Sequence, residues 1–398
     1  MLRKIKNFYH LLVAIVANII YRFPAKQMTV IGVTGTDGKT TTSHMIYHLL
    51  KKEGMKVSLV STLSALIDGQ EIDTGHHVTT PDSFTLQKYI RRARDKKNEY
   101  LVLEVTSHAI DQHRVFGIPF TLSVLTNVTH EHLDYHKNYE SYAKVKFRLL
   151  EWARTAVVNR DDRSYELLSS FRKSISKTQY LSYGTKGKGD IDLKEYPFVK
   201  KFPGVYNWYN GLAAVSVGKF LGISKEEMEK HFASFKLPKG RMEIVYDDDF
   251  RVIVDFAHTP HALEELLKTV RLTRPNGRII HVFGSAGERD ASKRPFMGKV
   301  SGDYADVVIL TSEDPRGESP AQIASEIESG INKKEAASVV VIESRKQAIL
   351  NALEMAQTGD VVLITGKGHE DSMNFGKGEE SWSDQEVVLE LLNKINEK

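Results

Sequence analysis

The chain has 398 residues, 41% of them apolar, 27% charged and 9% aromatic, with a formal net charge of +4. That composition excludes a fibrous, disordered or collagen-like chain, and the length leaves room for two or three hydrophobic cores. The small charge forms no basic stripe beyond the N-terminal stretch and gives no sign of a nucleic-acid partner, while the absence of cysteine removes disulfides, thiolate metal sites and a cysteine nucleophile.

The first stretch, MLRKIKNFYHLLVAIVANIIYRFPAK, holds five Lys/Arg and no acid around an apolar run from Leu11 to Ile20 that is broken by Asn18. A run of about ten residues is too short to cross a bilayer, and no small-residue cleavage pattern follows it. Three readings stay open for this basic, apolar helix over residues 1–27: a helix packed on the protein, an interfacial membrane anchor through residues 1–25, or a span. From Met28 onward, apolar β-rich runs alternate with amphipathic helical patterns, the signature of a parallel sheet covered on both faces.

MTVIGVTG reads as a strand and TTSHMIYHLLKKEG as the helix after it, ended by Gly54. MKVSLVST, YLVLEVTS and FTLSVLTNV read as further buried strands, with PDSFTLQKYIRRARDKKN a helix that has Pro81 in its first turn. ESYAKVKFRLLEWA reads as a helix, TAVVNRDD as a strand, YGTKGKGDIDLKEYPFVKKFPG as an irregular surface excursion and NWYNGLAAVSVGKFLG as a helix. The Pro-Lys-Gly turn in LPKGRMEIV marks a domain boundary near residue 239. Beyond it RVIVDFAH, RIIHVFGS, DVVILTSE, SVVVIES and DVVLITG predict a second series of strands separated by helices. The expected fold is therefore α/β: a central domain with a mostly parallel sheet over 28–239, which the loop described next makes a P-loop-type central ATPase domain, and a Rossmann-like α/β domain over 240–398.

Between MTVIGVTG and the next helix, Gly35, Gly38, Lys39 and Thr40 would line a turn. Backbone amides at a helix N-terminus, a lysine charge and a hydroxyl for Mg²⁺ are what a triphosphate needs. The standard Walker spacing is not met, because Val33 stands where its first glycine belongs. The strand before and the helix after still favour a phosphate loop over a structural turn. Glu104 ends a buried strand, the usual place for a carboxylate that holds Mg²⁺, though a solvated strand end reads the same way. In THEHLDYH, three histidines are compatible both with a metal role and with a polar loop.

The loop resembles that of the Mur ligase family, G-x-T-G-T-x-G-K-T-T, and the resemblance runs through nearly the whole chain. It continues in TTPD (79–82), LEVTSHAIDQHR (103–114), TNVTHEHLDYH (126–136), YAKVKF (142–147), GRMEIV (240–245), VDFAHTPHALE (254–264), ERDASKRPFMG (288–298), EDPRGE (313–318) and GKGHE (366–370). Together these point to the MurE branch, which adds the third amino acid to the muramoyl dipeptide. The resemblance implies ATP held by Gly35, Thr36, Asp37, Gly38, Lys39, Thr40 and Thr41, and two Mg²⁺ ions at Thr40, Glu104, His132 and Lys146. Lys146 aligns with a lysine that carbon dioxide converts to a carbamate, which requires a neutral amine, and Lys144 is the competing register.

Asn127, Asn207, Asn210 and Asp255 fall at nucleotide positions, although Asn207 and Asn210 could equally cap the following helix, and Arg241 would reach the phosphates. Thr79, Thr80, Ser107, Gln112 and Arg114 fall at muramoyl-peptide positions. Arg289, Glu313, Asp314, Pro315, Arg316, Gly366 and Glu370 fall at those of an incoming diamino acid, and can also be read as ordinary surface ion pairs. Lys39, Glu104, His132, Lys146 and Arg241 would be the catalytic group. They would serve attack of the peptide carboxylate on the γ-phosphate, formation of an acyl phosphate and its displacement by the amine, with closure about residue 239. A monomer in the cytoplasm with small-molecule substrates is expected, membrane association depending on the N-terminal helix.

Three features depart from the family pattern. Asp37 replaces the usual asparagine and adds negative charge beside the phosphates. EDPR replaces the asparagine form of diaminopimelate enzymes, which leaves lysine, diaminopimelate or another diamino acid open. Only about thirty residues precede the loop, where the family carries a uridine-nucleotide domain; either uridine is recognised more loosely, or the acceptor is a lipid-linked or other precursor met at the membrane. A folate-glutamate ligase fits TTPD, SHAIDQHR and DPR poorly. The presence of Lys39, Thr40, Glu104, His132 and Lys146 argues against a non-catalytic nucleotide-binding scaffold.

Overall fold

The computed structural model describes residues 2–75, 79–129, 133–136, 138–171, 178–274, 276–332 and 338–397. The chain divides into two compact units, one of Met1–Thr129 with His136–Lys236, the other of Leu237–Lys398 with His130–Tyr135. It passes from the first to the second at the LPKG turn.

Among the described residues the first unit has the strands β1 (Thr29–Thr34), β2 (Val57–Val60), β3 (Ala65–Ile67), β4 (Gln70–Ile72), β5 (Tyr100–Glu104), β6 (Phe120–Leu125), β7 (Thr155–Asn159), β8 (Gln179–Gly184) and β9 (Ile191–Asp192). Their order is β4-β3-β2-β5-β1-β6-β7-β8-β9. Strand β1 lies between β5 and β6 and runs parallel to both, with Val33 beside Glu104 and Thr34 beside Leu125. This register brings the loop after β1 level with the carboxyl ends of β5 and β6, where open α/β sheets place their ligands. The central strands are buried on both faces, which is why they read as continuous apolar runs.

Its helices are α1 (Leu2–Ile20), α2 (Lys39–Lys52), α3 (Ser83–Asp95), α4 (Ser107–Asp111), α6 (Tyr139–Glu151), α7 (Ser164–Phe171), α8 (Val205–Phe220) and α9 (Lys225–Ala233), while the single turn α5 (Leu133–His136) falls mostly in the segment grouped with the second unit. Helix α2 packs against α8, and α1 packs against α3. Two expectations need correction. Pro81 lies outside α3, because Asp82 is the N-cap and its carboxylate accepts from Phe84 N and Thr85 N. The stretch from Tyr183 to Gly204 is not simply irregular: it carries β9, parallel to β8, and a 3₁₀ turn over Pro197–Lys201, anchored by buried Ile191 and Val199. Those anchors are too widely spaced to give a period.

The second unit carries β10 (Glu243–Asp247), β11 (Arg251–Asp255), β12 (Ile279–Phe283), β13 (Val307–Leu310), β14 (Ser338–Val341) and β15 (Val361–Thr365), in the order β10-β11-β15-β12-β13-β14. All pair in parallel except β10, an antiparallel edge strand in what reads from sequence as a junction. Its helices are α10 (Pro260–Thr273), α11 (Arg294–Tyr304), α12 (Pro320–Glu328), α13 (Arg345–Met355) and α14 (Asp384–Asn396), and a small hairpin joins β16 (Ser372–Asn374) to β17 (Glu379–Ser381). Leu263, Leu267, Met297 and Ile327 fill one face of the sheet, and Ile349, Leu353, Val388 and Leu391 the other. Among the described residues no helix is long and apolar enough to cross a membrane.

Candidate active site

The chain leaves β1 at Thr34 and enters α2 at Lys39 through two glycines, Gly35 at φ 155° and Gly38 at φ 81°. A Cβ on Gly35 would collide with Thr126 Oγ1, and one on Gly38 with Asn210 Oδ1. Both positions therefore demand glycine, for conformation and for space. The loop backbone is clasped from β6: Asp37 N donates to Asn127 Oδ1 at 2.9 Å, while Asn127 Nδ2 and Thr126 Oγ1 donate to Asp37 O at 3.2 and 2.7 Å. Asn127 thus positions the loop.

From α8, Asn210 Oδ1 accepts from Thr42 Oγ1 at 3.2 Å, and Asn210 Nδ2 donates to Asn207 Oδ1 at 3.1 Å. The pair braces α2; neither caps α8, whose N-cap is Gly204. Thr41 is buried on the first turn of α2. Lys39 Nζ donates to Thr36 O at 2.7 Å, folded back along the loop. The Asp37 carboxylate accepts from Thr129 Oγ1 at 3.2 Å, which draws the unexpected charge toward β6's trailing segment.

Beside this loop stands Glu104, 1% exposed. Its carboxylate accepts from Thr40 Oγ1 at 3.1 and 3.2 Å, from Thr62 N at 3.0 Å and from Thr62 Oγ1 at 2.9 Å. An all-oxygen group of one carboxylate and two hydroxyls suits a hard divalent cation such as Mg²⁺. From there a hydrogen-bond chain runs outward: Thr62 Oγ1 to Thr79 Oγ1 at 3.1 Å, Thr80 Oγ1 to Glu104 O at 3.0 Å, Arg114 Nη1 to Thr80 O at 2.9 Å, and Arg114 Nη2 to Gln112 Oε1 at 2.7 Å. Thr79, Thr80, Gln112 and Arg114 are thereby brought to one edge with Glu104. Ser107 Oγ and buried His136 Nε2 lie 3.1 Å apart. Sequence reasoning missed Thr62 and His136; the carboxyl-end position just past β2 is the signal for Thr62. His132 lies outside the described residues.

Lys146 is 1% exposed on α6. Its Nζ donates to Gly35 O at 2.6 Å and sits 4.5 Å from the centre of the Tyr142 ring. Burial, and then the charge of Lys39, hold the Lys146 ammonium well below the usual lysine range, against the opposing pull of Asp37. Lys144 is half exposed and paired with Glu140 at 2.7 Å, so Lys146 is the lysine that faces the loop.

In the second unit, Asp255 ends β11 and accepts from Met242 N at 2.6 Å and Ala257 N at 2.7 Å. Burial raises its pKa against the pull of Arg241, whose guanidinium lies 4.5 Å over the Phe256 ring. Asp314 Oδ1 accepts from Lys367 Nζ at 2.9 Å and Asn374 N at 3.0 Å, and Lys367 Nζ pairs with Glu370 Oε2 at 2.7 Å. Lys367 is fully buried. Burial opposes its charge, but Glu370 and Asp314 outweigh that and raise its pKa. It is the link between two expected residues, inside the quoted GKGHE run yet not singled out.

Arg316 Nη1 donates to Gly287 O at 2.9 Å, and a Cβ on Gly287 would strike Pro315 O, so the loops after β12 and β13 are in contact. Arg289 is exposed on the first of them. Glu313 is buried, and among the described residues its Oε2 has no hydrogen-bond partner. Gly366, at φ 104°, faces that oxygen so closely that a Cβ there would collide with it. Burial pushes the Glu313 carboxyl up to about 7 despite Arg345 and Lys293. An unpaired buried carboxylate is costly, and the raised pKa means that near neutral pH this group is relieved by a proton as well as by a cation at the oxygen.

A glycine-bent loop feeding a helix, with a buried carboxylate on its hydroxyl and a buried lysine on its backbone, defines a nucleotide-triphosphate-using P-loop protein. Comparison with known proteins narrows the class. The Mur ligase middle domain matches residues 33–218, and the Mur ligase, glutamate ligase domain matches residues 240–368. The UDP-N-acetylmuramoyl-L-alanyl-D-glutamate–2,6-diaminopimelate ligase of Caldanaerobacter subterraneus subsp. tengcongensis is 38% identical over 397 residues, covering 95% of this chain and 80% of the relative. The enzyme of that name from Clostridioides difficile is 38% identical over 401 residues, covering 96% and 82%.

A solved structure of a ligase with the same name superimposes with a TM-score of 0.61 at 30% identity over 93% of this chain and 79% of that one. Mycobacterium tuberculosis folylpolyglutamate synthase, at 17% identity and TM-score 0.71 over 89% and 92% of the two chains, shares the fold. The chain belongs to the Mur ligase family, on its MurE branch, and is an ATP- and Mg²⁺-dependent amide ligase.

Proposed function

We propose that the chain joins a diamino acid to the terminal carboxylate of a muramoyl dipeptide-type cell-wall precursor, as a monomer in the cytoplasm. The observation that carries this reading is the pairing of chemistries: Lys146 and Glu104 buried at the phosphate loop, and in the second unit the Glu313 oxygen that meets no hydrogen-bond partner among the described residues. The relatives' names support 2,6-diaminopimelate as the diamino acid to test first.

In this reading the loop amides, Lys39 and Thr40 take the phosphates of ATP. Thr40 and Glu104 would hold Mg²⁺, which supplies charge neutralisation at the phosphates when bound. The buried, low-pKa amine of Lys146 is suited to react with carbon dioxide and become a carbamate, giving an extra anionic ligand for a second ion. Arg114, held by Gln112, pairs an acceptor carboxylate. An oxygen of the acceptor's reacting carboxylate attacks the γ-phosphorus and the bond to the bridging oxygen of ADP breaks. The amine then attacks the acyl carbon, the carbon–oxygen bond to phosphate breaks and the amine gives up a proton. Glu313 receives an ammonium of the amino acid, with Arg316 and Glu370 ordering its other end.

Phosphate release by the purified chain with ATP and Mg²⁺ should require both a UDP-muramoyl dipeptide and a diamino acid, diaminopimelate exceeding lysine. Lys146→Met should lower it by about 100-fold or more. No release with any dipeptide and diamino-acid pair would overturn the proposal.

A further inference from the structure

Helix α1 is amphipathic the wrong way round for a helix on a protein surface. Such helices turn their apolar stripe to the core and their polar face to water. Here the fully buried positions are small and polar, with Leu11 and Ile15 half-buried beside them. Ala14, Ala17 and Asn18 are buried, Asn18 Nδ2 donates to Ala14 O and to Phe116 O, each at 2.8 Å, and Asn7 Nδ2 donates to Asp111 Oδ2 at 3.0 Å. A Cβ on Gly117 would press on the Asn18 amide, so the close seat of the helix is built into the loop beneath it. The outward face carries Ile5, Phe8, Tyr9, Leu12, Val16, Ile19 and Ile20, each 46 to 63% exposed. Spacings of three and four residues keep all seven on one side.

Charge identifies what this stripe fits. The first 36 residues contain no acid, and Arg3, Lys4, Lys6, Arg22 and Lys26 bracket the stripe at both ends. Helical spacing sets Lys6 on its border. Two copies meeting through this face would bring like charges together, whereas an anionic lipid surface takes both the stripe and the charges. No described helix is long and apolar enough to span, so a helix of this kind lies in the plane of the headgroups. We propose that α1 is a membrane-surface anchor for anionic phospholipid bilayers, holding the first unit at the bilayer through the Ile5–Ile20 stripe. This does not rest on the ligase reading, and its test needs neither nucleotide nor turnover.

The test is co-sedimentation of the full chain with vesicles of phosphatidylcholine containing about a third phosphatidylglycerol, and with phosphatidylcholine alone. Binding is expected to the anionic vesicles, weaker to the neutral ones, and falling as salt is raised. Phe8→Asp with Leu12→Asp should lower the bound fraction about tenfold or more with an unchanged thermal midpoint, since both side chains are exposed. Leu272→Asp, on an 80% exposed residue of α10, should bind like the parent. The proposal is overturned if the parent fails to sediment with anionic vesicles or if the double variant binds as well. A parent that is dimeric by light scattering, made monomeric by the double change and indifferent to vesicles, would also overturn it and assign the stripe to a second copy.

Discussion

His281 shows how a single buried side chain writes itself into stability. Its Nδ1 lies 2.8 Å from Ser301 Oγ and its Nε2 2.9 Å from Thr365 Oγ1, and the ring stacks on Phe283 at 4.4 Å. Burial, and then Arg345, lower its pKa to about 3. The unfolded chain therefore takes up the proton near pH 6.5, while the fold refuses it until far lower. Stability from this residue is complete above pH 6.5 and is lost as pH falls toward 3, with a slope of up to about 1.4 kcal/mol per pH unit. His369, also lowered to about 3 by burial and then Arg241, adds a second such proton. Urea unfolding between pH 7 and pH 4 should show His281→Gln losing stability with acid less steeply than the parent, by about one proton. Equal slopes would contradict the assignment. At this scale the sequence left Lys144 and Lys146 as rivals, because two lysines two residues apart on a helix look alike until burial is known. Thr62 and Lys367 were hidden for a different reason: Thr62 meets Thr40, Thr79 and Glu104, and Lys367 meets Asp314, all far away in the chain.

At the scale of elements, the phosphate loop is held by what its glycines lack. Gly38→Ala would put a Cβ against Asn210 at φ 81° and should cost about 1–3 kcal/mol, with ATP binding lost as the loop amides shift. Gly54→Ala is the matched control. Its φ is 80°, but no atom lies within 4 Å of the added Cβ, so it should cost about 1–2 kcal/mol and leave ATP binding intact. Thermal midpoints and titration with an ATP analogue distinguish the two; equal loss of ATP binding would contradict the clash. The central strands were readable because parallel strands buried on both faces are unbroken apolar runs. The edges were not. The β3–β4 hairpin, β9 and β10 are short or half exposed, and their alternation is too brief to stand out. Pro81 was misplaced by one capping residue, since Asp82 is the better N-cap.

The whole molecule comprises two α/β units with different stores of unfinished chemistry. The first has a carboxylate, hydroxyls and a low-pKa lysine around a glycine-bent loop; the second has a buried Glu313 oxygen with no hydrogen-bond partner among the described residues and, separately, a network in which Lys367 joins Asp314 to Glu370. Motif order along the chain made this division legible before any coordinates, whereas the outward-facing apolar stripe of α1 required knowing which of its faces is buried. The central claim is that a substrate carboxylate is activated by phosphorylation. It is tested most directly by labelling both oxygens of the acceptor's reacting carboxylate with ¹⁸O and analysing the phosphate released during turnover. The account predicts phosphate carrying one labelled oxygen from the acyl phosphate; phosphate released without label, while amide product accumulates, would contradict it.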